Sequence, residues 1–405
     1  MAKSTSQRSL LENQTLRATA HLLGTIARRL AAVLVLAFLP LAVLSAQTAT
    51  PSLPDSLDFK IGQMLLVGFR GLNLSDTSAI ARDIKERYLG AVILFDYDVP
   101  SKSFGRNIES PKQVRALCRA LQNWSYKHTA LPLLIAIDQE GGKVARLKEK
   151  YGFKPTVSQA YLGALNRLDS TRKYARETAM QLAALGINLN FAPCVDVNLN
   201  PQNPIIGGKE RSFSSDPTLV TAHARAVLAE HRKAKILTAI KHFPGHGSSA
   251  ADSHLGLVDV TKHWQSVELL PFQTLIAEQA TDMVMTAHIY NAEWDTLPAT
   301  LSKRVLTSLL RDSLKFQGVI VSDDMQMKAI ADHYGLEEAI KLALQAGVDM
   351  LTFGNNLDYD EHIAEKAVAI IKNLVAAGEI SPERIDASYQ RILALKRQVS
   401  RRTKK

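Results

Sequence analysis

The sequence of 405 residues has only two cysteines, Cys118 and Cys194. Two thiols are too few for a disulfide framework, and we predict that both are core residues. Residues 47–395 contain no low-complexity linker, which argues against a division into several domains. Hydrophobic residues make up 46% of the chain and charged residues 22%, so we expect a folded protein with a substantial core.

The body of the chain also lacks net charge. Of the formal charge of +10, residues 1–46 carry +4 and residues 396–405 carry +6, which leaves residues 47–395 neutral. A neutral body does not match the basic surface of a nucleic-acid-binding protein, and no motif of that class is present. We therefore predict no nucleic-acid partner and interpret residues 396–405 as a solvated basic tail.

Long hydrophobic runs are absent except near the N terminus. Arg28 and Arg29 precede an apolar run at residues 30–44, and small residues follow it near Ala46. A cationic region, an apolar region too short for a comfortable membrane span and a small-residue site are typical of a secretory signal. We predict that residues 1–46 are a signal peptide and that the protein is exported to the periplasm or the cell exterior. The alternative is an uncleaved N-terminal membrane anchor.

The remaining sequence alternates apolar runs with helical patterns. Capped amphipathic segments predict helices at residues 110–128, 216–235, 302–314 and 381–398. Apolar strands that alternate with such helices indicate a parallel sheet covered by helices. Eight such units favour an α/β fold of the (β/α)8 TIM-type barrel, with residues 47–395 as one catalytic domain, and the alternative is a doubly wound open sheet. The eight predicted strands are QMLLVGF (63–69), GAVILF (90–95), LPLLIAID (131–138), INLNFAPCVD (187–196), ILTAIKHF (236–243), MVMTAHI (283–289), GVIVSDD (318–324) and MLTFGN (350–355).

Polar residues close five of the predicted strands. A barrel of this type carries its active site at the C-terminal ends of its strands. A single carboxylate at such an end would equally serve as a helix cap, but five polar strand ends that meet at one mouth indicate a functional site. These residues are Asp138, Asp196, Lys241 with His242, His288, and Asp323 with Asp324.

The loop KHFPGHGSSAADSH, residues 241–254, combines three histidines, a lysine and an aspartate with small residues. Asp252 and His254 are two residues apart, a spacing that puts both side chains on one face of an extended segment. A carboxylate in that place can hold one imidazole nitrogen and fix the tautomer of the ring. The pair is therefore suited to general acid/base catalysis.

This loop resembles a known family when it is taken together with IDQEGGKVAR (137–146), ERSFSSD (210–216), MVMTAHI (283–289) and VIVSDDM (319–325). The motifs are similar, in content and order, to those of the β-N-acetylhexosaminidase branch of glycoside hydrolase family 3, the NagZ-type enzymes. The resemblance covers roughly residues 57–395. It implies a hydrolase without cofactor or metal that acts on terminal β-linked N-acetylglucosamine, on muropeptide fragments of peptidoglycan turnover or on chitooligosaccharides. We expect a monomer whose partner is this small carbohydrate.

The resemblance also implies roles for individual residues. Asp323 would be the nucleophile and His254 the acid/base, with Asp252 as the partner of His254. The implied mechanism is retaining double displacement, in which the aspartate attacks the anomeric carbon while the histidine protonates the leaving oxygen and later deprotonates water. The sugar-binding residues would be Asp138, Arg146, Arg211, Lys241 and His242, with His246 and His288 as further candidates.

Four alternatives stay open. Asp324 is the neighbouring candidate nucleophile, although alternation along a strand would turn its side chain to the other face. A metallohydrolase could use His242, His246, Asp252 and His254 as ligands, although a loop of small residues is a poor cage for a metal. A phosphorylase is chemically close, because a histidine repels phosphate less than a carboxylate would. A non-catalytic sugar-binding protein would not need Asp323 together with the Asp252–His254 pair.

Overall fold

The computed structural model describes residues 55–403. The predicted signal segment, residues 1–46, and the last two residues of the predicted tail lie outside the described residues. Within the described range, no helix has both the length and the apolar character needed to cross a membrane.

Within residues 55–403, eight parallel strands form a closed barrel in the order of the sequence, and the last strand pairs with the first. Leu66 of the first strand lies opposite Ala91 on one side and Thr352 on the other. Each predicted strand segment contains one barrel strand, so the (β/α)8 barrel is confirmed and the open sheet is excluded. The strands are β1 (Leu65–Gly68), β2 (Ala91–Leu94), β3 (Leu134–Ile137), β4 (Leu189–Asn190), β5 (Leu237–Phe243), β6 (Met283–Thr286), β7 (Val319–Asp324) and β8 (Met350–Phe353).

Helices surround the barrel, and capping residues set where several of them begin. The side chain of Ser110 accepts a hydrogen bond from the N–H of Gln113, and Asp216 accepts one from Thr218, each just before a proline at the first helical position. The helices are α1 (Leu57–Gln63), α2 (Ala79–Glu86), α3 (Pro111–Thr129), α4 (Gln159–Leu165), α5 (Leu168–Leu185), α6 (Pro217–Lys233), α7 (Leu270–Ala277), a π-type helix (Arg304–Ser313), α8 (Lys328–Ala346), α9 (Ile363–Ala376) and α10 (Pro382–Thr403).

The core fills the barrel and the space between the strands and helices. The residues of β1, β2 and β3 are buried throughout, which explains their continuous apolar sequence: one face packs inside the barrel and the other against helices. Cys118 and Cys194 are free and buried, as predicted.

The C-terminal helix includes the first residues of the segment that we interpreted as a solvated basic tail. Helix α10 continues through Lys396, whose side chain is fully buried. Its Nζ donates hydrogen bonds to Gln63 Oε1 and to the carbonyl oxygen of Gly90, both at 2.7 Å. Burial lowers the pKa of Lys396 to about 7. The prediction of a solvated tail that begins at residue 396 is therefore wrong at Lys396, because this lysine lies on the packed face of a helix.

Candidate active site

A cleft of about 440 Å³ lies at the C-terminal ends of the barrel strands. The structure brings most of the candidate site residues to this cleft, whereas His246 and His288 do not border it. The candidates that line it are Asp138, Arg146, Arg211, Lys241, His242, Asp252, His254 and Asp323.

Asp323 and Asp324 lie together at the end of β7, and both border the cleft. The pairing of β7 with β8 shifts register between Val321 and Asp324, so simple alternation does not remove Asp324 from the cleft, contrary to our expectation. Hydrogen bonding distinguishes the two carboxyls instead. Asp324 Oδ1 accepts from the N–H groups of Gln326 at 3.0 Å and Gly354 at 2.9 Å. Within residues 55–403, Asp323 Oδ1 accepts only the N–H of Asp324, at 2.8 Å.

The two carboxyls also differ in pKa. Burial acts to raise the pKa of Asp323, but His288, His242 and His254 outweigh it and leave the pKa below its ordinary value. Burial raises the pKa of Asp324 to about 6, against the opposing hydrogen bonds from Gly354 and Gln326. Asp323 is thus the more fully ionised of the two at neutral pH, as a nucleophile requires.

The loop between β5 and α7 carries the Asp252–His254 pair. Asp252 Oδ1 accepts a hydrogen bond from His254 Nδ1 at 2.7 Å and another from its main-chain N–H at 2.8 Å. The side chain of His254 is 47% exposed, so solvent and ligands can reach the ring. The structure thus brings the pair together, but in a turn and not in the extended segment that we expected: the N–H of Leu255 donates to the carbonyl oxygen of Asp252 at 3.0 Å.

Buried structure fixes the start of this loop. The carboxylate of Glu268 accepts the N–H of Gly247 at 2.8 Å and that of Ser248 at 3.2 Å. Gly247 packs so closely that a Cβ there would overlap the carbonyl oxygen of Val197. Burial raises the pKa of Glu268 to about 7. The loop therefore leaves the barrel from a fixed base, while its tip carries the exposed histidine.

Lys241 and Arg211 form an ion-pair cluster on the cleft wall. Lys241 Nζ lies 2.7 Å from Asp138 Oδ1 and 2.7 Å from Glu140 Oε1. Arg211 contacts both oxygens of Glu140, with Nε at 2.9 Å and Nη2 at 2.7 Å. Arg146 Nη2 lies 3.6 Å from Asp138 Oδ2. This cluster therefore presents three cationic heads and the partly exposed carboxylate of Asp138 to a ligand, held in place by charge-assisted contacts.

His242 is held by a buried aspartate that follows β4. Asp196 Oδ2 accepts from His242 Nδ1 at 2.7 Å, and both carboxylate oxygens lie within 3.2 Å of the main-chain nitrogen of His242. Because His242 donates its Nδ1–H to this carboxylate, the other ring nitrogen, Nε2, can accept a hydrogen bond from Arg211 Nη2 at 3.1 Å. Asp196 thus sets the tautomer of a residue at the cleft.

His246 and His288 lie behind the cleft wall. His246 Nδ1 is 2.7 Å from Ser249 Oγ, and burial lowers the pKa of its ring to about 4. His288 Nδ1 is 2.8 Å from Thr300 Oγ1, and its Nε2 donates to the carbonyl oxygen of Asp324 at 3.0 Å. Their hydrogen bonds stabilise the loop and the end of β7. Neither residue borders the cleft, so their positions do not favour a direct contact with the sugar.

The ligand set of the metallohydrolase alternative is not brought together. His246 is turned toward Ser249, while Asp252 and His254 lie on the exposed part of the loop. In the described part of the chain, the one group of three metal-ligating side chains within 4.8 Å of one another is Cys194, Asp196 and His242. Their atoms already contact one another, with Cys194 Sγ 3.1 Å and His242 Nδ1 2.7 Å from Asp196 Oδ2.

Sequence reasoning missed two members of this arrangement. Glu140 lies inside the motif IDQEGGKVAR but was given no role, and Asp196 was noted only as a strand end. Their position in the segments that follow β3 and β4, near assigned residues, is the signal that could have found them. Fold and site together define a (β/α)8-barrel protein of the class that carries acid–base groups at the C-terminal mouth of the barrel.

Within this class, comparison with known proteins identifies the family. The protein-family model that is described as glycosyl hydrolase family 3 N terminal domain matches residues 56–395 of the sequence. The chain therefore belongs to glycosyl hydrolase family 3, and the resemblance predicted from the motifs is confirmed.

Named relatives agree with this assignment. Beta-hexosaminidase A of Pseudoalteromonas piscicida is 33% identical over 394 residues, an alignment that covers 87% of this chain and 63% of that protein. Beta-hexosaminidase of Tolumonas auensis is 37% identical over 256 residues, covering 62% of this chain and 74% of that protein. The solved structure of a glycoside hydrolase family 3 beta-N-acetylglucosaminidase from Paenibacillus sp. str. FPU-7 has a TM-score of 0.77 and 36% identity, covering 85% of this chain and 63% of that one. The chain thus spans less than two thirds of the first and third of these proteins.

Proposed function

We propose that the protein is an exo-acting, retaining β-N-acetylhexosaminidase that hydrolyses terminal β-linked N-acetylglucosamine. The observation that carries this proposal is that the carboxyl of Asp323 and the Asp252–His254 pair border the same cleft. The relatives named as β-hexosaminidases and as a β-N-acetylglucosaminidase support the same activity.

In the first step of the proposed reaction, a carboxylate oxygen of Asp323 bonds to the anomeric carbon as the glycosidic C–O bond breaks. His254 gives its proton from Nε2 to the leaving oxygen, and Asp252 stabilises the ring while it is charged. In the second step, neutral His254 takes a proton from water, whose oxygen attacks the anomeric carbon and releases Asp323. Two inversions at the same carbon retain the β configuration.

The cluster around Lys241 is suited to holding the sugar. Arg146, Arg211 and Lys241 offer cationic donors to hydroxyl and acetamido oxygens, and Asp138 offers an acceptor to hydroxyl groups. His242 borders the same wall. These five residues would bind the terminal sugar while Asp323 and His254 carry out the chemistry.

The natural substrate and location are part of the proposal. Muropeptide fragments from peptidoglycan turnover and chitooligosaccharides both end in the sugar that the site is proposed to take. The signal pattern of residues 1–46 supports export to the periplasm or cell exterior. Expression of the full chain in a bacterial host, followed by N-terminal sequencing, tests this: export predicts a mature protein that starts near Gln47, and an intact N terminus in the cytosol contradicts it.

The activity is tested with an aryl β-N-acetylglucosaminide and with chitobiose, each with and without inorganic phosphate. We expect free N-acetylglucosamine, released first as the β-anomer, in both conditions. Formation of the sugar 1-phosphate would identify a phosphorylase, and binding without turnover would identify a sugar-binding protein. Loss of activity in EDTA with recovery on addition of zinc would identify a metal-dependent enzyme and contradict the proposed mechanism.

A further inference from the structure

Glu140 lies directly behind the cleft wall and contacts two of the cations that form it. Its side chain is 1% exposed, and it is not among the residues that border the cleft. Its Oε1 accepts from both Lys241 Nζ and Arg211 Nη2 at 2.7 Å, and its Oε2 accepts from Arg211 Nε at 2.9 Å. One buried carboxylate therefore joins the segment that follows β3 to two sugar-site residues that lie far along the chain.

These two cations need a fixed partner because they are themselves largely removed from water. The side chain of Lys241 is 2% exposed and that of Arg211 is 11% exposed. Burial acts to lower the pKa of Lys241, but Asp138 and Glu140 outweigh it and raise the pKa above its ordinary value. An unpaired charge in such a place is costly, and its side chain would turn toward water or toward another anion.

The geometry of the contact also limits where the free donors point. The two parallel bonds from Arg211 to Glu140 fix the plane of the guanidinium group. Arg211 Nη2 then reaches His242 Nε2 at 3.1 Å, and Nη1 donates to the carbonyl oxygen of Ile205 at 3.3 Å, which leaves the second N–H of Nη1 for a ligand. Two of the three ammonium donors of Lys241 are taken by Asp138 and Glu140, so the direction of the third is set.

We propose that Glu140 is a positioning residue of the sugar-binding site: it holds Arg211 and Lys241 with their remaining donors in the cleft and does not itself touch the substrate. This inference rests on the proposed function for the identity of the ligand. It assigns Glu140 to sugar binding, and so predicts an effect on affinity that exceeds its effect on the chemical step.

The test compares Glu140→Gln with Glu230→Gln in the full-length protein. Glu230 is a matched control, because its carboxylate is also 1% exposed and contacts two cations, Arg176 and Lys233, away from the cleft. For Glu140→Gln we expect KM for an aryl β-N-acetylglucosaminide, and the Kd for N-acetylglucosamine from calorimetry, to rise at least about 10-fold, with a smaller fall in kcat. Glu230→Gln should leave KM, Kd and kcat unchanged.

Circular dichroism and the Tm of both variants separate binding from folding. A folded Glu140→Gln protein with wild-type KM and Kd would overturn the proposal. If Glu140→Gln does not fold, Glu140→Asp decides, because it keeps the charge but withdraws the carboxylate from the two cations. A folded Glu140→Asp protein should raise KM and Kd several-fold, and wild-type values would show a purely structural role. Failure of the wild type to cleave the substrate would refute the proposed function, whereas the comparison of Kd between wild type and variants still judges Glu140.

Discussion

Asp252 holds His254 through a single oxygen, with Oδ1 2.7 Å from the ring Nδ1 and 2.8 Å from the main-chain nitrogen. A carboxylate in this position keeps a proton on Nδ1, so Nε2 is the ring atom left to exchange a proton with a ligand. The two residues are neighbours in one loop, and the contact needs no partner from elsewhere in the fold. This relationship gives the first prediction.

His254→Ala should lose activity in a way that depends on the leaving group. A proton donor matters most when the departing oxygen is a poor leaving group, so we expect a loss of about 10²–10⁴-fold on chitobiose. Nitrophenolate departs with little help, so the loss in the glycosylation rate on the aryl substrate should be smaller. Because the histidine also activates water, the variant should accumulate glycosyl-enzyme, measured as a mass increase of the intact protein or a pre-steady-state burst.

Asp252→Ala tests the contribution of the residue that holds His254. It should show a weaker form of the same pattern, because Asp252 only orients and stabilises the imidazole. Equal losses on chitobiose and on the aryl substrate, with no trapped intermediate, would mean that His254 binds sugar or supports the loop.

Asp323→Asn and Asp324→Asn should differ sharply. Both substitutions keep the size of the side chain, but only the first removes the ionised carboxylate that we assign as nucleophile. We expect kcat for Asp323→Asn to fall by about 10³-fold or more, with an unchanged Tm, and Asp324→Asn to retain measurable turnover. Steady-state kinetics on the aryl substrate decide this. An inactive Asp324→Asn beside an active Asp323→Asn would move the nucleophile by one residue.

Asp196→Asn should damage the site through His242. Asp196 accepts at Oδ1 from the N–H of His246 at 2.8 Å and at Oδ2 from His242 Nδ1 at 2.7 Å, so the amide NH2 of asparagine must face a donor in either orientation. If the NH2 group replaces Oδ1, it faces the N–H of His246, and a buried N–H is left without an acceptor. If it replaces Oδ2, His242 Nδ1 must become an acceptor, so the proton moves to Nε2 and points toward Arg211.

We expect Asp196→Asn to lower kcat/KM by about 10–10³-fold and the free energy of unfolding by about 1–3 kcal/mol. Enzyme kinetics and urea denaturation measure the two effects. Unchanged kcat/KM in a destabilised protein would limit Asp196 to a structural role.

The fold could be predicted because its signals are local. Each barrel strand lies within one apolar run, and residues such as Ser110 and Asp216 mark helix starts by hydrogen bonds that span two or three positions. Within the site, the Asp252–His254 contact could be predicted for the same reason, because the two residues are close in sequence, although the contact forms in a turn and not in the extended segment that we expected.

The remaining parts of the site depend on contacts between distant segments. Glu140 meets Arg211 across 71 positions and Asp196 meets His242 across 46, and no local pattern reports either pairing. The register shift at the end of β7 likewise depends on its pairing with β8, so alternation could not place Asp324.

The sequence does contain a signal that Lys396 is buried, although we assigned this residue to a solvated tail. Lys396 follows Ile392 by four residues and Tyr389 by seven, both of which are buried, and this is the spacing of one helix face. Its charge suggested a tail, but its position in the periodic pattern indicated the packed side of α10. The difference has a measurable consequence for stability.

Lys396→Met should change how stability depends on pH. In the unfolded chain the lysine has its ordinary pKa of 10.5, whereas burial lowers the pKa to about 7 in the folded protein. Between these values the unfolded state binds a proton that the folded state lacks, so the contribution of Lys396 to the free energy of unfolding rises with pH. Below pH 7 both states are protonated, and the contribution is constant and at its least favourable.

The free energy of unfolding of the wild type minus that of Lys396→Met should therefore increase from pH 7 toward pH 10, by up to about 4 kcal/mol over the whole window. Urea denaturation of both proteins between pH 6.5 and 9.5 measures this difference, and titrating groups common to both cancel. Lys372→Met is the control, because Lys372 forms a surface ion pair with Asp58 and its side chain is 45% exposed. The free energy of unfolding of the wild type minus that of Lys372→Met should therefore stay nearly constant above pH 7. A flat difference for Lys396→Met as well would mean that the buried amine keeps its ordinary pKa, since its bonds to Gln63 and Gly90 would then stabilise the charged form enough to offset burial.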